Sequence, residues 1–272
     1  MLEAESADLE RRFGALARLY GSAGARRIRA AHVVVVGLGG VGSWAAEALA
    51  RSGIARLTLI DLDHIAESNI NRQVHALTPT LGQAKVLAMR ERISQIHPDC
   101  QVDCIEEFAA AENWPGILSL GSGFDPKRLA IIDACDQPRA KTAMAAWAIK
   151  NSIALISIGA AGGKRLAHRV DIADLAAVTH DPLLAQVRYR LRKEYGAARQ
   201  GKIGVACVFS LEPVHRPVAE AALALQAGLQ TAVQTPVPTD GSLNCHGYGS
   251  VVTVTATFGL CAAGWVLNKI AA

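Results

Sequence analysis

A glycine-rich segment near the amino end of the chain has the spacing of a phosphate-binding loop. It follows a β-branched run and opens a helical pattern, and its glycines are Gly37, Gly39, Gly40 and Gly42. Glycines let the backbone approach a phosphate, and the amino end of the next helix supplies N–H donors and a partial positive charge. Asp61 closes the second apolar run, at the distance expected of an acid that binds a ribose. A nucleotide site is therefore predicted, but a nicotinamide-dependent dehydrogenase shows the same glycines and acid.

The residues after Asp61 favour a triphosphate over a dinucleotide. The stretch 61–73 is polar and carries Asn69 and Arg72, and Lys85 follows it. Arginine offers a bidentate fork to phosphate oxygens and lysine a mobile point charge. A dehydrogenase has no use for these groups opposite its phosphate loop, so the pattern predicts ATP. Taken alone, Lys85 could be a solvated lysine in the first turn of a helix.

One further acid, Asp136, lies just beyond the fourth predicted strand. On the same edge as the glycine loop, its carboxylate is placed to hold Mg²⁺ against the phosphates. The alternative is structural, because Asp136 could instead cap the helix that begins at Pro138.

These groups need a scaffold that gathers them, and the hydrophobic pattern predicts one. Apolar runs alternate with helical periodicities, which is typical of a parallel sheet wrapped on both faces. The predicted strands are Val33–Val36, Arg56–Asp61, Gln101–Ile105, Leu129–Asp133 and Ala154–Ile158, and the intervening helices are Ser43–Ser52, Gln83–His97 and Pro138–Asn151. Right-handed crossovers then bring the carboxyl ends of the strands to one edge. The predicted class is α/β, a doubly wound, mostly parallel, Rossmann-like sheet.

The regularity fades after Gly159, where we expect a C-terminal α+β elaboration. Its predicted elements are a strand over Val170–Leu175, a helix over Asp181–Tyr195 and a short strand over Cys207–Ser210, whereas Pro213–Asp240 gives little signal. No repeat or linker divides the chain. We therefore expect a single domain with an N-terminal helical arm over 5–30, a nucleotide-binding core over 31–163 and the elaboration over 164–272.

Composition limits the class of protein. The 272 residues are 51% hydrophobic and 19% charged, enough for a large core and too apolar for disorder. The net charge of +4 does not by itself indicate a nucleic-acid partner. The six cysteines contain no C-x-x-C pair, and residues 1–10 lack the apolar segment of a secretory signal. We expect reduced thiols and a cytoplasmic enzyme.

An uncharged apolar stretch, Val251–Leu267, lies near the C-terminus. Its length is at the short end for a membrane span, which needs roughly 17–25 residues. The stretch is rich in Thr, Ala and Gly and has no sizeable basic flank. A core helix is the favoured interpretation, and peripheral membrane contact is the alternative.

The ordered motifs resemble those of the ubiquitin-activating-like adenylyltransferase superfamily. They are G-x-G-G-x-G from Gly37, D-x-D from Asp61, N-x-N-R-Q from Asn69 to Gln73, G-Q-x-K ending at Lys85 and D-x-x-D ending at Asp136. The resemblance implies that Asp61 binds the ribose, that Asn69, Arg72 and Lys85 bind the phosphates, and that Asp136 serves the metal or pyrophosphate. It adds Asp63 and Gln73 to the nucleotide-binding set, and makes Arg72, Lys85 and Asp136 the candidate catalytic residues.

A narrower likeness spans nearly the whole chain. The segments Arg12–Gly21, Val41–Ile54, Asn71–Leu77, Gly201–Ser210 and Thr253–Gly259 are similar to those of the tRNA threonylcarbamoyladenosine dehydratase family. The paired C-x-x-C zinc sites of many carrier-activating relatives are missing, as is a cysteine after the fifth strand. The likeness implies ATP-dependent cyclisation of a modified adenosine in tRNA, with a homodimer. The alternative is an adenylyltransferase or sulfur-relay partner of a carrier protein.

The sequence leaves two interpretations open for each of three features: Cys207, the basic helix and the N-terminal arginines. Cys207 could form a thioester or accept sulfur, or it could be a small buried residue of an apolar strand. The basic residues of the helix over Asp181–Tyr195 could contact tRNA phosphates or form a solvated face; they are Arg188, Arg190, Arg192 and Lys193. By the resemblance, either Arg12 or Arg18 reaches the ATP of a partner subunit.

Overall fold

A computed structural model describes residues 8–119, 125–215 and 248–272. Seven strands form one sheet in the order β3-β2-β1-β4-β5-β7-β6. The strands are β1 (His32–Val36), β2 (Arg56–Ile60), β3 (Gln101–Ile105), β4 (Leu129–Asp133), β5 (Ala154–Ile158), β6 (Val170–Asp174) and β7 (Ala206–Ser210). Neighbouring strands are parallel except for β6, which runs antiparallel to β7. The predicted fold class is confirmed.

Helices cover both faces of this sheet. In the described part of the chain they are α1 (Leu9–Phe13), α2 (Ala15–Arg29), α3 (Gly42–Arg51), α4 (Lys85–Ile96), α5 (Pro138–Asn151), α6 (Pro182–Glu194) and α7 (Val252–Ala271). α2, α3, α4 and α7 pack on one side, and α5 and α6 pack together on the other. The two buried clusters on either side of the strands are what a doubly wound sheet requires.

Local chemistry explains why the central elements form where they do. β1 is a run of valines after His32, and its last four residues are fully or almost fully buried. Strands buried on both faces are continuous apolar runs, so the period-two alternation of an exposed sheet is absent here. At α6, the side chain of Asp181 accepts a hydrogen bond from the Leu184 N–H, and Pro182 occupies the first turn. These are the expected signals of a helix start.

The strand order creates a crevice between β1 and β4. The chain runs from β1 outward through β2 to β3 and then returns to β4 on the other side of β1. The loops that leave β1 and β4 therefore diverge, and ligands of doubly wound sheets bind at this point.

The predictions for the elaboration and the C-terminal stretch can be compared with the structure at α6 and α7. Tyr195, the last residue of the predicted helix, lies at the C-terminal cap of α6 and is 53% exposed. The apolar stretch forms α7, in which Phe258 and Val266 are fully buried. Within the described residues α7 is the one helix long and apolar enough to cross a membrane, but half of the window that meets this criterion is buried in the protein. Its packing fits the predicted core helix. Most of Pro213–Asp240 lies outside the described residues.

Candidate functional site

The glycine loop is shaped by contacts that leave no room for side chains at two positions. Gly37 has a φ of +85°, and a Cβ there would lie 2.9 Å from the carbonyl oxygen of Ala134 in the loop after β4. A Cβ at Gly42 would overlap the carbonyl oxygen of Gly37. Glycine is required at Gly37 because its φ is positive and the backbones approach closely. The loops after β1 and β4 therefore meet at the crevice.

The Asp61 carboxylate anchors this loop from the end of β2. It accepts hydrogen bonds from the Leu38 N–H at 2.6 Å and from the Asp63 N–H at 2.9 Å. Its side chain is almost fully buried. A carboxylate has about four acceptor positions. Because two are taken by N–H groups of the loops, the others remain for a ligand hydroxyl at the position predicted for a ribose.

Lys85 lies beside these acids. Its Nζ is 2.6 Å from the Asp63 carboxylate and 3.8 Å from that of Asp61, and its side chain is almost fully buried. The interpretation of Lys85 as a solvated first-turn lysine is therefore wrong. Ion pairs with Asp61 and Asp63, which are distant in sequence, hold the Lys85 ammonium at the edge where the glycine loop begins.

Two acids of this edge, Asp61 and Asp136, have raised pKa values. Burial raises the pKa of Asp61, and Lys85 together with the two N–H donors partly offsets that rise. Desolvation also raises the pKa of Asp136, and the nearby carboxylates of Asp63 and Asp61 raise it further. Clustered carboxylates in a cleft are typical of sites that bind cationic groups or metal-bound phosphates.

Arg72 lies against the glycine loop from the other side. A Cβ at Gly40 would be 3.0 Å from the Cγ of Arg72, so the arginine stem covers the loop backbone. The Arg72 carbonyl accepts a hydrogen bond from the Trp44 indole at 2.9 Å. Its guanidinium donates to the Ser68 carbonyl at 2.7 Å and to the Asn71 side chain at 2.8 Å. These contacts fix the guanidinium, while the stem of the side chain lies against the glycine loop.

The other residues of the N-x-N-R-Q motif have separate structural environments. The Asn69 side-chain oxygen accepts from the Ala66 N–H at 3.1 Å and so closes a short 3-10 turn. Gln73 is buried, and among the described residues its side-chain oxygen has no hydrogen-bond partner. Asn71 donates to the Ser250 carbonyl at 3.1 Å, which ties this segment to the start of α7. Roles for Asn69 and Gln73 in nucleotide binding stay predictions.

Asp136 is exposed in the loop after β4 and is not a helix cap. The cap of α5 is Gln137, so the structural alternative for Asp136 is wrong. Its loop follows a buried network that sequence reasoning missed. The Asp133 carboxylate accepts from the Ser157 hydroxyl at 2.7 Å and lies 2.9 Å from the Lys141 ammonium, with both side chains fully buried. This network fixes the backbone that presents Asp136.

A signal for this network was present in the sequence. Asp133 is the first acid of the D-x-x-D motif, and Lys141 follows it by eight residues in the pattern of α5. Lys141 shares its helix face with Met144, Ala145 and Ala148, which are buried. A lysine on an apolar helix face needs a buried acid, because an unpaired buried charge is expensive.

The described residues contain no group of three His, Cys, Asp or Glu side chains that could hold a metal. Mg²⁺ in phosphate-binding sites takes one or two carboxylates and fills its remaining positions with phosphate oxygens and water. Asp63 is paired with Lys85. Among the acids discussed, Asp136 is therefore the carboxylate that fits this limited role.

Cys207 has the environment of a structural residue. Its side chain is fully buried in β7, and burial raises the pKa of the thiol well above its usual range. The thiolate is the nucleophile in thioester chemistry, so a buried thiol of this kind is unreactive. The buried-strand interpretation is favoured. Cys245 lies outside the described residues.

The predicted basic surfaces are largely engaged within the chain. In α6, Arg188 donates to the Leu175 and Val178 carbonyls at 3.0 and 2.9 Å, so it ties the helix to the preceding loop. Arg190 pairs with Glu194, and Arg192 donates to the carbonyls of Ala198 and Arg199. A tRNA contact by α6 stays a prediction, with Arg188 as its least suitable member.

The N-terminal arginines differ in their surroundings. Both are exposed, but Arg12 donates to the Ile96 carbonyl of its own chain at 2.7 Å. A reach toward a partner subunit stays a prediction, and this difference favours Arg18 for it.

Comparison with known proteins finds relatives that are similar to this chain over almost its whole length. The chain matches the ThiF family model over residues 13–271. It is 40% identical over 264 residues to the tRNA threonylcarbamoyladenosine dehydratase of Escherichia coli (strain K12), covering 96% of this chain and 94% of that protein. Identity and coverage are the same for the protein of that name from Haemophilus influenzae. The E. coli enzyme TcdA in complex with ATP superimposes with a TM-score of 0.79 at 38% identity, covering 97% of this chain and 96% of that one. The AMP complex gives a TM-score of 0.80 at 39% identity, with the same coverage. The chain therefore belongs to the ThiF family.

Proposed function

We propose that this protein catalyses the ATP-dependent cyclisation of threonylcarbamoyladenosine in tRNA, by adenylylation of the threonine carboxylate. The observation that carries the proposal is the convergence of Arg72, Lys85 and Asp61 on the glycine loop of a chain with this full-length similarity. The ATP and AMP complexes of the E. coli enzyme support the use of ATP.

Each group of the edge has a role in nucleotide binding. Asp61 binds the ribose, and Asp63 holds Lys85 in place. Lys85 and Arg72 neutralise phosphate charge. Asn69 and Gln73 make further polar contacts. The N–H groups of residues 37–42, at the amino end of α3, donate to phosphate oxygens. Preorganised cations lower the cost of charge that develops on a transferring phosphoryl group.

The reaction then needs two bond exchanges. A carboxylate oxygen of the threonyl group attacks the α-phosphorus of ATP, and pyrophosphate leaves with the electrons of the broken P–O bond. The ureido nitrogen next attacks the activated carbonyl carbon, a C–N bond closes the five-membered hydantoin ring, and AMP leaves as the nitrogen loses its proton. The second step is intramolecular, so orientation can supply up to about 7–11 kcal/mol of the barrier reduction. No protein nucleophile is required, which agrees with the buried Cys207.

Mg²⁺ is proposed as the companion of ATP. Asp136 would hold the ion, which would neutralise part of the negative charge of the ATP phosphates. The acids of this edge offer carboxylate oxygens, which are the ligands that Mg²⁺ prefers. Asp136 is exposed and lies near the buried Asp61. Lys85 and Arg72 act on the phosphates in either case.

The remaining proposals concern partners and location. A tRNA substrate follows from the reaction. A homodimer, a sulfur-relay protein as a further partner and a cytoplasmic location are proposed from the resemblance of the motifs. The buried apolar face of α7 supports a packed core helix over membrane contact.

The deciding experiment is incubation of the protein with ATP, Mg²⁺ and tRNA that carries threonylcarbamoyladenosine. We expect release of AMP together with loss of one water from the modified nucleoside, measured by mass spectrometry after nuclease digestion. Adenylylation of a carrier protein with no change in the tRNA nucleoside would overturn this function in favour of a carrier-activating enzyme. Preferential binding of NADH over ATP in a fluorescence titration would overturn adenylylation altogether.

A further inference from the structure

An arginine-lined cavity lies at the end of the molecule away from the glycine loop. Its volume is about 470 Å³, and it is lined by Arg12, Phe13, Arg51, Arg92, Gln95 and Ile96. We call it the arginine cavity. It lies beside the carboxyl ends of α3 and α4, whereas the amino ends of the same helices carry Gly42 and Lys85 of the nucleotide edge.

Two of its arginines are fixed by one buried carboxylate. Glu47 is 5% exposed and accepts from the Arg92 side chain at 2.7 and 3.1 Å and from the Arg51 Nε at 2.8 Å. Two guanidinium groups carry ten N–H bonds, many more than one carboxylate can accept. Glu47 therefore orients both arginines and leaves most of their donors for the cavity or solvent.

The third arginine comes from the N-terminal helices. Arg12 lies on α1, and its guanidinium donates to the Ile96 carbonyl at 2.7 Å, at the last residue of α4. Glu47 compensates one of the three positive charges around the cavity. Arginine forks of this kind match the geometry of phosphate oxygens. A cavity of this size also has room for a phosphate with part of its sugar, since small-molecule sites span about 300–1,000 Å³.

We propose that the arginine cavity is a second anion site that holds a backbone phosphate of the RNA substrate. The assignment rests on the proposed function. α3 has 10 residues, so at ~1.5 Å per residue the cavity is about 15 Å from the nucleotide edge. An RNA carries a phosphate at every nucleotide, so a chain whose modified base occupies the site has further phosphates over that distance.

The test uses Arg12→Gln, because Arg12 is the cavity arginine that does not support Glu47. Binding of tRNA with threonylcarbamoyladenosine is measured from 50 to 200 mM KCl. Loss of one phosphate contact should reduce the slope of log Kobs against log [KCl] by roughly 0.7–0.9. Arg12→Lys retains the charge and should retain the slope.

The matched control is Arg11→Gln, which removes the same charge from the preceding residue of α1. Arg11 is exposed and does not line the cavity, so the slope should not change. Equal slopes for Arg12→Gln and wild type, with both proteins folded by circular dichroism, would overturn the proposal.

A calorimetric titration with inorganic phosphate separates a free anion from RNA. If Arg12→Gln loses phosphate binding but keeps the full salt slope for tRNA, the cavity takes free phosphate and the RNA assignment is overturned. Failure of the proposed function would appear differently, as absence of the cyclic nucleoside in wild-type reactions whatever the salt slope.

Discussion

The ammonium group of Lys141 lies 2.9 Å from the Asp133 carboxylate, and both side chains are completely shielded from solvent. Burial alone would lower the pKa of Lys141, but Asp133, Cys135 and Cys207 together outweigh burial and raise the pKa. The same ammonium donates to the Asp133 carbonyl at 3.1 Å, so one lysine binds both the backbone and the side chain at the end of β4. The pair therefore fastens α5 to the loop that presents Asp136.

We expect Lys141→Met to lower the free energy of unfolding by about 3–5 kcal/mol. The substitution leaves the Asp133 charge buried without its partner, which costs more than the pair itself contributes. The measurement is urea unfolding monitored by tryptophan fluorescence. In the double variant Asp133→Asn with Lys141→Met no buried charge remains, so it should be more stable than the single variant. A double variant less stable than Lys141→Met would show that the pair stabilises for another reason.

Much of the sheet could be predicted from the sequence because its strands are apolar and β-branched. The predicted bounds of β3, β4 and β5 agree with the structure residue for residue. Buried strands depend on composition within about five residues, so local patterning is sufficient for them. The glycine loop could be located for the same reason, because its spacing is a local property.

The missed features depend on contacts between distant segments. Whether Lys85 is solvated or buried is decided by Asp61 and Asp63, 24 and 22 residues earlier in the chain. Arg188 has a structural role because it donates to carbonyls of the loop before α6. The periodicity of the helix does not reveal these contacts. Tyr195 has the spacing of a core residue, but the helix ends at Glu194 and the side chain turns outward.

The glycine loop should separate structural from ligand-binding glycines. Gly42→Ala should weaken the fold and ATP binding together, because its Cβ would overlap the Gly37 carbonyl. Gly39→Ala should leave stability within about 1 kcal/mol, since a Cβ there meets no atom within 4 Å. It should weaken ATP binding if a phosphate approaches that backbone. Thermal unfolding and ATP titration of the two variants check this, and equal destabilisation by both would contradict it.

Stability should fall as the pH is lowered from about 6.5 to about 4, partly because of His75. Burial, together with the nearby charges of Lys85 and Arg92, lowers its pKa from 6.5 to about 4. Between these values the unfolded chain binds a proton that the folded chain does not, so folding is penalised as pH falls. The stabilising effect is complete above pH 6.5 and is lost as pH falls through 4. Its size is up to about 3 kcal/mol, at ~1.4 kcal/mol per pKa unit.

The variant His75→Leu isolates this contribution. Among the described residues neither ring nitrogen of His75 has a hydrogen-bond partner, so the substitution breaks no such bond there. Urea midpoints at pH 7.5 and pH 5 should differ less in His75→Leu than in wild type. Asp61 and Asp181, whose pKa values are raised by burial, act in the opposite direction in both proteins and so cancel from the comparison. The exposed His168→Leu is the control, and an unchanged pH dependence in His75→Leu would refute the assignment.

Arg72→Ala and Asp136→Ala should each abolish turnover while the fold survives. Arg72 lies against Gly40, and Asp136 is exposed on the loop that touches Gly37, so neither side chain supports the core. Removing one electrostatic contact to a reacting phosphoryl group costs about 10²–10³ in kcat. Arg72→Ala should in addition raise KM for ATP, because a guanidinium that contacts phosphate also contributes to ground-state binding. Steady-state AMP release and thermal unfolding are measured together, with Arg139→Ala as the exposed control. Full activity in either variant would show that the phosphates bind elsewhere.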